Sequence, residues 1–159
     1  MDATRRDLAE AATDLIIRKG YSSTTVADIA QEAGVGRRTF FRHYPTKEDV
    51  ILQSVLAEFA DFDDLLNEVE NTGDHLADAA TAMRLSVEER RSHLDDSITF
   101  YRIVRTTPEL GGVVKSFNEA FEQCFSNWYA ARTGTDPADS KAQIFGKCAI
   151  AVRETALSN

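Results

Sequence analysis

Between Thr24 and Lys47 the chain reads TTVADIAQEAGVGRRTFFRHYPTK, and few architectures accept that order of residues. Thr24 or Thr25 can N-cap a helix whose apolar face is Val26, Ile29, Ala30 and Ala33. Gly34 then supplies a turn, where a positive φ is expected and a Cβ would be costly. A second short helix covers about Gly36 to His43, and Pro45 ends it, because the residue before a proline avoids helical geometry. Two short helices joined by a glycine turn have the layout of a helix-turn-helix. In that motif one helix braces and the next enters the major groove of DNA.

Projecting the second of these helices sorts its residues. Phe40 and Tyr44 are four apart and share one face, which with Val35 should pack on the two preceding helices. Arg38 and Arg42 point the opposite way, with Arg37 and Phe41 to one side and Thr39 and His43 to the other. A guanidinium can donate two bonds to guanine O6 and N7, so Arg37, Arg38 and Arg42 are candidate base readers, with Phe41 offering apolar contact to a base methyl or a sugar. Candidate phosphate contacts are Thr24 and Thr25 at a helix start, Thr39, His43 and Lys47. Lys47 sits in the first turn of a helix, where a cation opposes the helix dipole, and a DNA phosphate in front of it would offset that cost.

Charge supports a local rather than a global reading. The chain of 159 residues carries a net charge of −8, yet residues 1–50 hold eight basic and eight acidic residues. The whole deficit lies in residues 51–159, with 10 basic and 18 acidic. A neutral head with clustered arginines, joined to an acidic remainder, suggests two jobs. Acidic pairs such as Asp63-Asp64, Glu88-Glu89 and Asp95-Asp96 read as solvated helix faces.

Apolar residues recur at helical spacing almost throughout and no alternating β-branched run stands out, so the expected fold class is all-α. A first helix spans about Thr4 to Lys19. Thr46 and Asp49 form a capping-box-like start for a long fourth helix to about Phe62. The segment EVENTGD, residues 68–74, is a polar break, with Leu65, Leu66 and Val69 able to extend the fourth helix before it, and a short fifth helix covers about His75 to Arg84. The capping box Ser86-x-x-Glu89 places the start of a sixth helix, running to about Arg105. A seventh follows Pro108, with Leu110, Val113, Val114, Phe117, Phe121, Cys124, Phe125 and Trp128 at steps of three and four. An eighth runs from about Ala138, with Ile144, Phe145, Cys148, Ala149 and Val152 apolar.

Several function classes are disfavoured. Cys124 and Cys148 match no zinc or CxxC spacing and are expected to be buried free thiols. His75 and His93 have no Cys neighbour and read as surface residues, so no metal and no cofactor is expected. No nucleophile-base pair or paired-carboxylate site is visible, which speaks against an enzyme. The N-terminus lacks an apolar signal core and no apolar run approaches the roughly 18 residues of a membrane span, so a cytoplasmic protein is expected.

The matching residues Thr25-Val26-x-x-Ile29-Ala30, Ala33-Gly34-Val35, Thr39-Phe40-Phe41-Arg42-His43-Tyr44 and Lys47-Glu48 give residues 4–56 a resemblance to the N-terminal domain of the TetR family of bacterial transcriptional regulators. Two positions depart from the family pattern. Gly36 stands where a capping Ser is usual, and Phe41 where Tyr is common, so two hydroxyls are missing. The resemblance implies a DNA-binding domain at 1–48, running into a linker helix at about 46–62, and a helical ligand-binding and dimerisation domain at 49–159. It implies a homodimer on a palindromic double-stranded operator, with the eighth helix in the interface, and a small-molecule effector that re-spaces the two heads to release a repressor. The chain stops at Asn159, within or just after its eighth helix, so either the C-terminal part is cut short or that helix carries more of the interface. Met83, Phe100, Tyr101, Phe117, Phe121, Phe125 and Trp128 are the candidate lining of a ligand pocket, although helical stripes of this kind usually fill a core. The competing reading is a helix-turn-helix adaptor that binds protein, or a regulator with no small-molecule ligand.

Overall fold

The computed structural model describes residues 3–89 and 94–156. Every regular element among them is helical: α1 Ala3–Lys19, α2 Val26–Glu32, α3 Arg37–His43, α4 Lys47–Glu68, α5 His75–Glu89, α6 Leu94–Thr106, a 3-10 turn Pro108–Leu110, α7 Gly111–Thr133 and α8 Ser140–Ala156. None of these helices is long and apolar enough to cross a membrane. They form two compact units, Met1–Ala57 with Asp95–Ser116, and Glu58–Leu94 with Phe117–Asn159.

In the first unit α2 packs on both α1 and α3. Leu8, Ala12 and Ile16 of α1, Ile29 of α2, Phe40 of α3 and Val50 of α4 are completely shielded from solvent. Ser54, a buried hydroxyl on α4, donates to its own helix at the Val50 carbonyl (3.0 Å) and to the Ala9 carbonyl of α1 (3.2 Å). Thr46 and Asp49 form the expected box at the start of α4. The Asp49 carboxylate accepts from the Thr46 N–H (2.8 Å) and hydroxyl (2.7 Å), while Thr46 Oγ1 accepts from the Asp49 N–H (3.2 Å).

The second unit has an aromatic core along α7. Phe121 and Phe125 lie 4.9 Å apart, Phe62 stacks 6.1 Å from Phe121, and Trp128 donates its indole N–H to the Leu66 carbonyl at 2.8 Å. Arg132 covers the Trp128 ring at 4.5 Å and donates to the Val69 and Glu70 carbonyls just past the end of α4. Its guanidinium also meets the buried Asp78 at 3.3 Å, whose carboxylate accepts from the Thr72 hydroxyl at 2.6 Å. Both charges are thereby paired and bonded, the condition under which burial of ions is tolerated.

α4 runs past Phe62 to Glu68, the extension that Leu65 and Leu66 offer by continuing its apolar face. Other expectations are corrected. Ser86 starts no helix; α5 passes through it to Glu89, since a Ser-x-x-Glu pattern is also compatible with a helix interior and no Gly or Pro interrupts the run. α8 buries Ala142, Gly146 and Ala149 but leaves Ile144, Cys148 and Val152 exposed. Its apolar residues thus occupy two stripes about 100° apart, only one of which is inward. Cys148 is therefore exposed and Cys124 half-buried, where both were expected inside. His75 is not a plain surface residue: its ring meets Tyr129 edge-on at 5.3 Å and Trp128 at 6.3 Å. His93 lies outside the described residues.

At Gly146 α8 approaches α7 closely. A Cβ there would sit 2.5 Å from the Glu122 carbonyl oxygen and 2.5 Å from Ser126 Oγ. Gly146→Ala should therefore destabilise by about 1–3 kcal/mol through overpacking. Gly112→Ala, also in a helix but with nothing within 4 Å of its new methyl, should instead stabilise by about 0.5–1 kcal/mol. Urea denaturation of both variants checks the pair, and equal midpoints would contradict the close crossing.

Candidate nucleic-acid interface

The site is built from its turn outward. α2 begins at Thr25, whose hydroxyl accepts from the Asp28 N–H at 3.2 Å while the Asp28 carboxylate accepts from the Thr25 N–H at 2.8 Å. Lys19 adds an ion pair to the same carboxylate at 2.8 Å. Those bonds, the one from Lys19 first, hold the Asp28 pKa down at about 2. At the other end Val35 N–H bonds the Ala30 carbonyl (2.8 Å) and Gly34 N–H the Gln31 carbonyl (3.0 Å), with Gly34 at φ +68°. That pair is a Schellman closure, and its left-handed residue is the reason for glycine. Gly36 caps α3 with no side-chain bond.

α3 is seven residues long and presents two opposed faces. Phe40 is fully buried and Tyr44, its C-cap residue, is 1% exposed. Arg37, Arg38 and Arg42 are exposed, and Phe41 is 48% exposed, unusual for a large aromatic ring. Arg38, Thr39, Phe41 and Arg42 together line a shallow depression of about 350 Å³. Arg37 stands apart from that lining, and His43 lies half-buried with its Nε2 at 3.3 Å from the Arg42 guanidinium.

Two expected phosphate contacts are otherwise engaged. Thr24 is 1% exposed and its hydroxyl donates to the Gly20 carbonyl at 2.8 Å, so its side chain faces inward while exposed Thr25 caps the helix. Lys47 donates to the carbonyls of Thr24 (2.8 Å) and Tyr21 (3.1 Å) and lies 3.7 Å from the Tyr21 ring centroid. Burial lowers its pKa, opposed by the nearby Glu48 and Glu109 carboxylates. These partners account for a cation in the first turn of α4 without any external anion. Tyr21, buried, donates its hydroxyl to Glu48; burial first, and that carboxylate second, raise the tyrosine pKa. Sequence reasoning missed this Tyr21–Lys47–Glu48 cluster. The signal it leaves in the sequence is a Tyr just after the first helix and a Lys-Glu pair opening the fourth.

The candidate pocket residues separate. Phe100 and Tyr101 belong to the first unit; Met83, Phe117, Phe121, Phe125 and Trp128 belong to the second. Phe100, Phe117, Phe121, Phe125 and Trp128 are all buried, and the four on α7 pack ring against ring. Beside them a groove of about 490 Å³ is lined by Asp63, Asn67, Gln123, Cys124, Asn127 and Trp128. The Cys124 thiol donates to Asp63 at 3.0 Å, and burial, then the carboxylate, raises its pKa. Among the described residues no group of three or more His, Cys, Asp or Glu is placed to hold a metal ion.

The family described as bacterial regulatory proteins, tetR family, matches residues 8–53, which hold α1 to α3 and the start of α4. Residues 8–53 are thus similar to the DNA-binding domain of the tetR family. Over 143 residues it is 32% identical to the HTH-type transcriptional regulator TcmR of Streptomyces glaucescens, a match over 86% of this chain and 63% of that one, just under two thirds of that relative's length. Two solved structures share the fold. The fatty acid degradation regulator FadR of Bacillus halodurans aligns with TM-score 0.70 at 15% identity, covering 100% of this chain and 84% of its own. The multidrug binding protein EbrR, solved in complex with imidazole, aligns with TM-score 0.60 at 18% identity, covering 90% and 74%. TcmR is by its name a transcriptional regulator.

Lys47→Met should leave two carbonyls without their donor and lower stability by about 1–3 kcal/mol. The urea midpoint checks this. An unchanged midpoint with a flatter salt dependence of DNA binding would contradict the clamp and leave Lys47 as a phosphate contact.

Proposed function

We propose that the protein is a homodimeric repressor, released from a palindromic operator by a small molecule. The observation that carries DNA reading is the two-faced α3, with Arg38, Thr39, Phe41 and Arg42 outward and Phe40 and Tyr44 buried. Arg37, Arg38, Phe41 and Arg42 contact bases; Thr25, Thr39 and His43 contact phosphates, with any remaining N–H of Lys47 free to join them. The DNA-binding domain is residues 1–48, with α4 as linker, and residues 49–159 sense and dimerise. Three exposed arginines on one short helix favour DNA over a protein partner, because a guanidinium can donate two bonds to guanine O6 and N7.

Dimerisation is supported by α8. Ile144 is 60% and Val152 59% exposed, with exposed Cys148 midway between them, an apolar stripe at steps of four. Such a stripe on a free surface calls for a partner. A two-fold copy would place two recognition helices about 34 Å apart, one turn of DNA. Effector sensing is supported by the polar groove of Asp63, Asn67, Gln123 and Asn127 beside α4 and α7, a concave site with convergent polar groups. EbrR, of the same fold, is by its title a multidrug binding protein. A ligand there would act on α4, which continues into the head.

Binding-site selection from a random duplex library should enrich a palindrome with half-sites about one helical turn apart. Light scattering should give twice the chain mass of 17.6 kDa, and Ile144→Glu should return it to the monomer. A monomeric wild type, or enrichment of unpaired single sites, would overturn the two-head reading.

A further inference from the structure

The eight basic residues of the first fifty divide into three groups. Arg18 and Lys19 are neutralised by Glu32 (2.6 Å) and Asp28 (2.8 Å) on α2. Lys47 is held by carbonyls inside the head. The other five are arginines: Arg37, Arg38 and Arg42 on α3, and Arg5 and Arg6 on the first turn of α1. Among the described residues none of the five has a carboxylate at ion-pair distance. Three of them form the reading face. Arg5 and Arg6 have no role in it as described so far.

The structure ties these two to that face. The buried Tyr44, immediately after α3, donates its hydroxyl to the Arg5 carbonyl at 3.1 Å, and the Arg5 guanidinium lies 4.9 Å from the Tyr44 ring centroid. The start of α1 is thus pinned beside the end of the recognition helix. Arg6, the next residue, is exposed. The first turn of α1 holds no acid, so among the described residues no carboxylate pairs with these two cations where the helix dipole disfavours them. An external anion beside α3 would relieve both costs, and the anion offered by a bound duplex is its backbone.

We propose that Arg5 and Arg6 form a second DNA contact on each head, gripping backbone phosphates that flank the bases read by α3. Arg5 is held in place by its stack on Tyr44, and Arg6 reaches out from the same turn. The contact adds affinity and register but no base choice, because phosphate carries no sequence information.

The test uses the full chain and a duplex selected by the wild-type protein. Arg6→Gln is the cleanest variant, since its side chain is exposed and makes no stacking contact. It should weaken binding to all sequences alike and flatten the log–log salt slope by about 1 per head. The selected consensus should be unchanged, and Arg6→Lys should restore the slope. Ethylation interference should show phosphates outside the half-site that matter to wild type and not to Arg6→Gln. An unchanged slope for Arg6→Gln overturns the proposal, as does an altered consensus, which would mean a base contact. If the wild-type protein selects no duplex at all, the reading of α3 itself fails, a distinguishable result.

Discussion

A helix of seven residues does not persist alone in water, because so short a run cannot repay the cost of its nucleus. α3 is that short, and burial of Phe40 and Tyr44 on one side is what keeps it formed. The same two rings decide what the other side can be. With Phe40 fully enclosed and Tyr44 fixed by its bond to the Arg5 carbonyl, the helix cannot roll, and Arg38 and Arg42 must face out. The Schellman turn at Gly34 sets how α3 leaves α2. The Lys47 clamp joins the segment before α2 to the start of α4. Each device leaves the aromatic anchor little freedom.

Net charge misleads about such a protein, and local pairing does not. A chain at −8 is a poor partner for DNA by bulk electrostatics. Within the head, however, acids on α2 neutralise the last-turn cations of α1, and the arginines left unpaired lie on α3 and on the α1 turn tied to it. The acidic excess belongs to residues 51–159.

The helix-turn-helix was legible because its information is local. Caps, a left-handed glycine and a proline stop act within four residues, and Thr25, Gly34, Pro45 and the Thr46–Asp49 box all stand where the sequence places them. What escaped depends on contacts across the fold. Thr24 and Thr25 look equivalent as caps, yet only packing sends the Thr24 hydroxyl to Gly20. Lys47 finds its carbonyl acceptors some 23 and 26 residues away. In α8 two adjacent stripes are both apolar, and periodicity alone does not say that Ala149 goes in while Cys148 stays out. The aromatic residues of α7 suit a pocket or a core alike, because size and hydrophobicity are common to both; in the structure they pack ring against ring.

The central claim is that the outer face of α3 reads bases. Its most direct measurement is the affinity of Arg38→Ala and Arg42→Ala for the duplex that the wild-type protein selects, with every base of the half-site varied in turn. Each variant should lose about 1–3 kcal/mol and relax its preference at one position while leaving the others intact. Wild-type affinity and an unchanged base profile in both variants would contradict the account.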